Sequence, residues 1–69
     1  MKDIYFSAHA LQRYKERFGI QSKEILEQRF RKSILISRWD NKETRQYGAI
    51  KFVSLADNDG NYNVLTIKK

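Results

Sequence analysis

The first half of the chain spaces its apolar residues as α-helices do. Ser7 has the side chain of an N-cap, residues 8–18 have helical composition, and Gly19 stands where a left-handed residue would end a helix. The pattern therefore predicts a first helix over residues 8–18. The apolar residues that we expect to pack inward from it are Leu11, Tyr14 and Phe18.

A second helix is predicted to begin at Gln21 or Ser22 and to end at about Lys32. Its acidic residues stand near the start and its basic residues near the end, which matches the direction of the helix dipole. The apolar residues with helical spacing, expected to face the core, are Ile25, Leu26, Phe30 and, beyond the helix, Ile34.

The remainder of the chain is rich in β-branched and aromatic residues, which is typical of strands. We predict strands over residues 34–39 and 62–67, and one over residues 45–55 that is interrupted at Gly48. Residues 2–6 are a shorter β-prone stretch, which we interpret as an edge strand.

Polar turns are predicted at residues 40–43 and 57–61. The spacing of Asp57, Asp59 and Asn61 resembles a calcium-binding loop, but the downstream glutamate of such a loop is missing. An Asp-Gly hairpin turn is therefore the favoured interpretation.

Together these elements predict a single α+β domain over residues 1–69, with two N-terminal helices packed on a three- to four-stranded antiparallel sheet. A chain of 69 residues can bury only a thin core, although 41% of its residues are hydrophobic. The absence of cysteine excludes a disulfide scaffold, a thiol nucleophile and thiolate zinc sites. With His9 as the single histidine, we expect no metal and no cofactor.

Neither a signal peptide nor an 18-residue apolar run is present, so we expect a cytoplasmic protein without a membrane partner. Fourteen lysines and arginines against eight acidic residues give a net charge of +6. Such a charge favours a negatively charged partner, most commonly nucleic acid. The alternative is that the charge serves solubility alone.

The first predicted helix carries His9, Arg13 and Arg17 at intervals of four residues, on a different face from its core residues. Arginine binds phosphate oxygens through a planar fork, and histidine transfers protons near neutral pH. This row therefore suits a phosphodiester. The alternative is a solvated helix face on which Glu16 pairs with Arg13.

Other basic and aromatic residues are candidates for contacts with nucleic acid. Trp39, Tyr47 and Tyr62 would stack on unpaired bases if they face outward, whereas aromatic residues in so small a protein more often belong to the core. Thr66 has the same strand parity as Tyr62 and Val64, so we expect it on their face. The basic candidates are Arg29, Arg31, Lys32, Arg38 and Arg45.

Residues 6–20 contain the pattern HAxxRxxxRxGI, which resembles the opening of a family of short bacterial and phage domains of unknown function. These domains are similar to RelE-like toxins and to the barnase-EndoU-colicin grouping of ribonucleases. Residues 45–53 and 63–67 resemble the closing strands of that family, where a threonine recurs near the end.

The resemblance implies a RelE-like fold in which His9, Arg13, Arg17 and Thr66 converge in one cleft between helix and sheet. It also implies metal-free RNA cleavage, in which the ribose 2′-OH attacks the neighbouring phosphorus and His9 accepts the proton. The two arginines of the row would stabilise the charge that grows on the phosphoryl oxygens.

The leading hypothesis is an RNA-binding domain with a ribonuclease-toxin-like fold, with endoribonuclease activity left open. The alternative is a non-enzymatic basic module of phage or plasmid type that binds and inhibits or regulates an acidic protein, such as a regulator or nuclease. The expected partners are therefore RNA or another nucleic acid and, as a further option, an acidic protein or an antitoxin. A third option is nucleic-acid binding that is independent of sequence, which predicts an affinity that falls steeply with salt.

Overall fold

Two helices cover one face of a five-stranded mixed sheet in the computed structural model, which describes residues 2–19 and 22–68. In chain order the elements are β1 Ile4–Phe6, α1 Ala8–Phe18, α2 Lys23–Lys32, β2 Ile34–Trp39, β3 Lys42–Tyr47, β4 Ile50–Ala56 and β5 Tyr62–Lys68. The α+β class is confirmed. Among the described residues, neither helix is long and apolar enough to cross a membrane.

The sheet has the strand order β1-β5-β4-β3-β2. Strands β2 to β5 form an antiparallel meander, but β1 lies parallel to β5. The prediction of a purely antiparallel sheet with three or four strands was therefore wrong. The N-terminal stretch joins the edge next to the last strand, a pairing across the whole chain that local sequence does not specify.

Both helices begin at the predicted serine caps. The Ser7 Oγ accepts a hydrogen bond from the Ala10 amide at 3.0 Å and donates one to the Leu65 carbonyl at 2.9 Å. The start of α1 is thereby tied to β5. The Ser22 side chain likewise accepts a hydrogen bond from the Ile25 amide and so caps α2. Gln21, the other predicted start, lies outside the described residues.

The predicted end of α1 at Gly19 is also confirmed. Gly19 adopts a φ of 87°, and its amide donates to the Lys15 carbonyl at 3.0 Å. A positive φ of this size is accessible to glycine without steric cost.

Phe30 is the centre of the core and is fully buried. Its ring meets that of Phe52 edge to face, with 5.2 Å between the ring centroids. The residues that form the core with it come from both helices and one face of the sheet: Ile4, Ala10, Tyr14, Leu26, Ile50, Phe52, Val64 and Ile67.

Three residues that were expected to face the core, Leu11, Ile25 and Ile34, are instead exposed. In α1 the inward line runs through Ala10 and Tyr14, because the small alanine side chain lets the helix approach β5 closely. This rotation leaves Leu11 on the flank of the helix.

The strand predicted over residues 45–55 is in fact a hairpin. Tyr47 pairs with Ile50 across a two-residue turn, in which Gly48 has a φ of 57° and Ala49 has a negative φ. This combination is that of a type II′ turn, whose twist matches that of the flanking strands. The preceding turn, predicted over residues 40–43, is shorter than expected because β3 already begins at Lys42.

Candidate nucleic-acid interface

The row of His9, Arg13 and Arg17 lies along one flank of α1, each residue one position before the line of Ala10, Tyr14 and Phe18 that faces the core. His9 and Arg17 are exposed, and Arg13 is half-buried. The Arg13 Nη1 lies 3.5 Å from the Glu16 Oε1. This is the ion pair of the solvated-face interpretation.

Thr66 lies on the opposite side of the sheet from α1. It pairs with Val53, while the next residue, Ile67, pairs with Phe52 and belongs to the core. Because neighbouring strand residues point to opposite faces, Thr66 points away from the helices. The expectation that it shares a face with Val64 was wrong.

The cause is a β-bulge in β5. Ser54 pairs with Val64 and Val53 with Thr66, so Leu65 is an extra residue that shifts the alternation of the strand. The sheet therefore separates Thr66 from the α1 row, and the four residues do not meet in the cleft that the resemblance implied.

Arg45, a predicted nucleic-acid contact, lies beneath α2 with its side chain only 15% exposed. Its Nε donates to the Glu43 Oε1 at 3.0 Å, and its guanidinium carbon lies 5.4 Å from the centroid of the Tyr62 ring. The Arg45 side chain is thus largely covered, and its guanidinium is held by contacts within the protein. Tyr62 also packs edge to face on Phe30, so neither residue belongs to a surface site.

Two of the other predicted basic contacts hold the N-terminal elements together. The Arg29 Nη1 donates to the Tyr14 hydroxyl and so joins the two helices. The Arg31 Nη2 donates to the Lys2 carbonyl at 2.9 Å and to the Glu27 Oε1 at 3.0 Å.

The other predicted contacts are at the surface. Lys32 and Arg38 are exposed. The Arg38 Nε donates to the Asp40 carbonyl at 3.1 Å. Tyr47 is also exposed, but it pairs with Ile50 and therefore lies on the helix side of the sheet.

The face of the sheet turned away from the helices is uncovered by any described residue outside the sheet and its turns, and we call it the open face. Its members follow from the pairing register, since paired residues point to the same side. They are Tyr5, Ile34, Ser37, Trp39, Lys42, Thr44, Gln46, Lys51, Val53, Leu55, Asn63, Thr66 and Lys68.

The open face is basic. It carries Lys42, Lys51 and Lys68, and none of its members is acidic. Lys51 and Lys68 are direct cross-strand partners, an arrangement in which like charges repel. An anion placed between the two ammonium groups would remove that repulsion. Lys42 and Lys51 are a sequence signal for this surface, since they fall at open-face positions of adjacent strands, but only the pairing register shows that they share a face.

Trp39 projects from the open face with 84% of its surface exposed, so the interpretation of this residue as part of the core was wrong. Lys42 is its cross-strand neighbour. Tyr5, which the sequence analysis did not select, stands exposed at the other edge of the same face. An aromatic ring thus stands at each lateral edge, and the cross-strand row between them consists of Asn63, Leu55 and Lys42.

A shallow depression of about 490 Å³ lies at the rim of the open face, where two turns come together. Its lining consists of carboxylates, side-chain amides and two apolar residues: Asp40, Asn41, Leu55, Ala56, Asp57, Asn58 and Asn63. The acidic groups near the open face are therefore confined to one end, and the Lys51 and Lys68 pair lies towards the opposite end.

Comparison with known proteins gave no matching family model, no similar curated protein and no similar solved structure. The resemblance to RelE-like toxins thus stays an interpretation of the sequence. Of the motif that carries it, Ile20 lies outside the described residues.

Proposed function

We propose that the protein binds single-stranded nucleic acid, with RNA as the first candidate, on the open face of its sheet. The observation that supports this most directly is an uncovered sheet face that joins three lysines to a tryptophan with 84% of its surface exposed. RNA is tested first because the sequence resembles ribonuclease-like domains.

In this proposal the lysines bind the phosphate backbone of the nucleic acid. Lys51 and Lys68 oppose one another without a carboxylate partner among the described residues, so a phosphate would bring them a favourable electrostatic interaction. Lysine acts on phosphate as a point charge, which makes the interaction independent of base sequence and dependent on salt.

In this proposal the aromatic residues stack on the bases of the nucleic acid. An indole ring exposed in water on a sheet surface is a stacking platform for an unpaired base, and stacking contributes about 1–3 kcal/mol per base. Tyr5 and Trp39 stand at the two ends of one cross-strand row, and in that row Lys42 is the neighbour of Trp39. Lys51 and Lys68 lie four and five residues further along their strands, so a nucleic-acid strand that stacks on Trp39 would run obliquely over the sheet to reach them. A duplex hides its bases and cannot stack in this way.

Cleavage is not part of the proposal. The phosphodiester chemistry implied by the resemblance needs its groups around one phosphorus atom, whereas the sheet separates Thr66 from His9. Binding on the open face requires neither residue as a catalyst.

Trp39 is the only tryptophan, so its fluorescence reports directly on binding at the open face. We would titrate the protein with a twelve-nucleotide single-stranded RNA and with a hairpin duplex, and measure affinity as salt is varied. The single strand should quench Trp39 and bind more tightly than the duplex. By fluorescence anisotropy of labelled RNA, Trp39→Ala should weaken binding by about ten-fold.

A second experiment compares lysines on the open face with a lysine on the helix side of the molecule. Exchanging both Lys51 and Lys68 for glutamine should lower the salt slope of the affinity by about 1.4, which is roughly 0.7 for each lost phosphate contact. Lys15→Gln removes a charge on the helix side and should change affinity less than two-fold. Equal losses from Lys15→Gln and from either lysine of the pair would reject the open face as the binding surface.

A further inference from the structure

Within the described part of the chain, no strand pairs with the outer edge of β2. The strand has only β3 as a neighbour, and all six of its residues are exposed. The other edge of the sheet differs, because β1 has only three residues and its Ile4 is buried. An edge strand of this length presents a row of backbone N–H and C=O groups to which another strand can pair.

The side chains of β2 include three exposed aliphatic residues, which is typical of a strand that another element covers. Ile34 and Ile36 are 71% and 49% exposed, and Leu35 between them is exposed too. Natural edge strands are commonly protected by lysine or proline, and β2 contains neither. Its one charged residue is Arg38, and its one irregularity is a bulge next to Ile36.

The charges around this edge indicate what would cover it. Lys32 and Lys42 are exposed beside β2, and Asp40 is the acidic residue of the adjoining turn. Arg38 within β2 is also exposed, although its Nε lies 3.8 Å from the Glu43 Oε2. Two β2 strands from two copies would bring these cations together, which disfavours pairing between copies. A strand that alternates acidic and apolar residues would match both the charges and the aliphatic side chains.

We propose that the outer edge of β2 binds an extended, acidic and apolar segment of another protein, which pairs with it as a sixth strand. Backbone hydrogen bonds would provide the affinity, and the neighbouring cations would select the acidic partner. This surface shares Lys42 with the open face, but its affinity would come from the backbone edge of β2 and not from the Lys51 and Lys68 pair.

The test uses three labelled ten-residue peptides and fluorescence anisotropy. One alternates valine with glutamate, the second alternates valine with lysine, and the third is the glutamate peptide with N-methyl groups on alternate amides along one edge. We expect the glutamate peptide to bind and both others to bind at least ten-fold more weakly. A ladder of backbone bonds cannot form on an N-methylated edge.

Two protein variants locate the contact. Ile36→Glu places a negative charge on the β2 edge, which repels an acidic strand, and should weaken binding of the glutamate peptide at least ten-fold. Ile25→Glu makes the same exchange at a similarly exposed isoleucine on α2 and should alter it less than two-fold. Circular dichroism of both variants confirms that the fold is retained.

Several outcomes would overturn the inference: no binding of the glutamate peptide, equal binding of the N-methylated or lysine peptide, or equal effects of the two variants. Sedimentation that shows a dimer of the protein alone, lost in Ile36→Glu, would assign the edge to a second copy instead. RNA affinity is measured on the same variants, so a failure here is distinguishable from a failure of RNA binding.

Discussion

Arg45 and Glu43 form an ion pair beneath α2, with 3.0 Å between Nε and Oε1 and with the Glu43 side chain only 3% exposed. The pair lies on the helix side of the sheet, where Arg45 also donates to the Ser33 carbonyl at 3.5 Å. Glu43→Gln should lower the free energy of unfolding by about 3 kcal/mol, because the guanidinium would be left in a poorly hydrated place without its counter-charge. Urea denaturation followed by circular dichroism measures this change.

The exposed pair of Arg13 and Glu16 provides the control for this prediction. Both side chains are nearly half exposed, so water screens their attraction. Glu16→Gln should therefore change the free energy of unfolding by less than about 0.5 kcal/mol. Similar losses of unfolding free energy in Glu16→Gln and Glu43→Gln would show that burial does not strengthen the ion pair of Arg45 and Glu43.

Lys51→Glu should have opposite effects on stability and on binding. It turns the repulsive cross-strand pair with Lys68 into an attractive one, which should raise the free energy of unfolding by about 0.5 kcal/mol. The same change removes a cation from the open face and should weaken RNA binding. Thermal unfolding and anisotropy titration on one preparation measure both.

Salt provides the internal check on that variant. The gain in stability should shrink in 1 M salt, since interactions between exposed charges are screened over a few ångströms there. A variant that is destabilised at low salt would contradict the cross-strand repulsion inferred from the register.

The helices could be predicted because their signals are local. The caps Ser7 and Ser22 and the stop at Gly19 act within one turn of the residues they cap, so sequence alone places these boundaries. The hairpin turn at Gly48 was missed for a related reason. A two-residue turn continues the alternation of apolar residues from β3 into β4, so the pattern shows no break there.

The candidate site could not be predicted because it depends on pairing over long distances. One extra residue at Leu65 decides which face Thr66 occupies, and nothing in the local sequence distinguishes a bulge from a regular strand there. Arg45 has the composition of a surface contact, yet the packing of α2 over β3 buries it. The exposure of Trp39 likewise follows from its place on an edge strand.

Ser54 gives a third test, since its side chain is fully buried on the helix side of β4 and its hydroxyl has no hydrogen-bond partner among the described residues. A buried hydroxyl without a partner loses its hydration and gains nothing in return. Ser54→Ala should therefore raise the free energy of unfolding by about 1 kcal/mol in urea denaturation. Ser37→Ala on the exposed β2 should stay within about 0.5 kcal/mol, and a loss of stability in Ser54→Ala would contradict the absence of a partner.

The loop between β4 and β5 makes stability depend on pH through one carboxylate. The Asp57 Oδ1 accepts hydrogen bonds from the amides of Asn61 and Asp59, both at 2.9 Å, which confirms the hairpin-turn interpretation of this loop. The backbone hydrogen bond from Asn61, as the largest cause, lowers the pKa of Asp57 below its ordinary value. These bonds favour the charged form in the folded state.

The sign of the effect follows from linkage. Because the folded pKa is the lower one, the contribution of the Asp57 charge is fully present above the unfolded pKa of about 3.9 and is lost as pH falls through the folded value. Asp57→Asn keeps an oxygen that can accept both bonds but removes the charge. Wild type should therefore be more stable than Asp57→Asn at neutral pH, and the difference should narrow as pH falls below about 4. Urea denaturation at a series of pH values measures it, with Ser37→Ala, which adds no titrating group, expected to run parallel to wild type. A difference between wild type and Asp57→Asn that stays constant down to pH 2 would show that the loop does not depend on the charge.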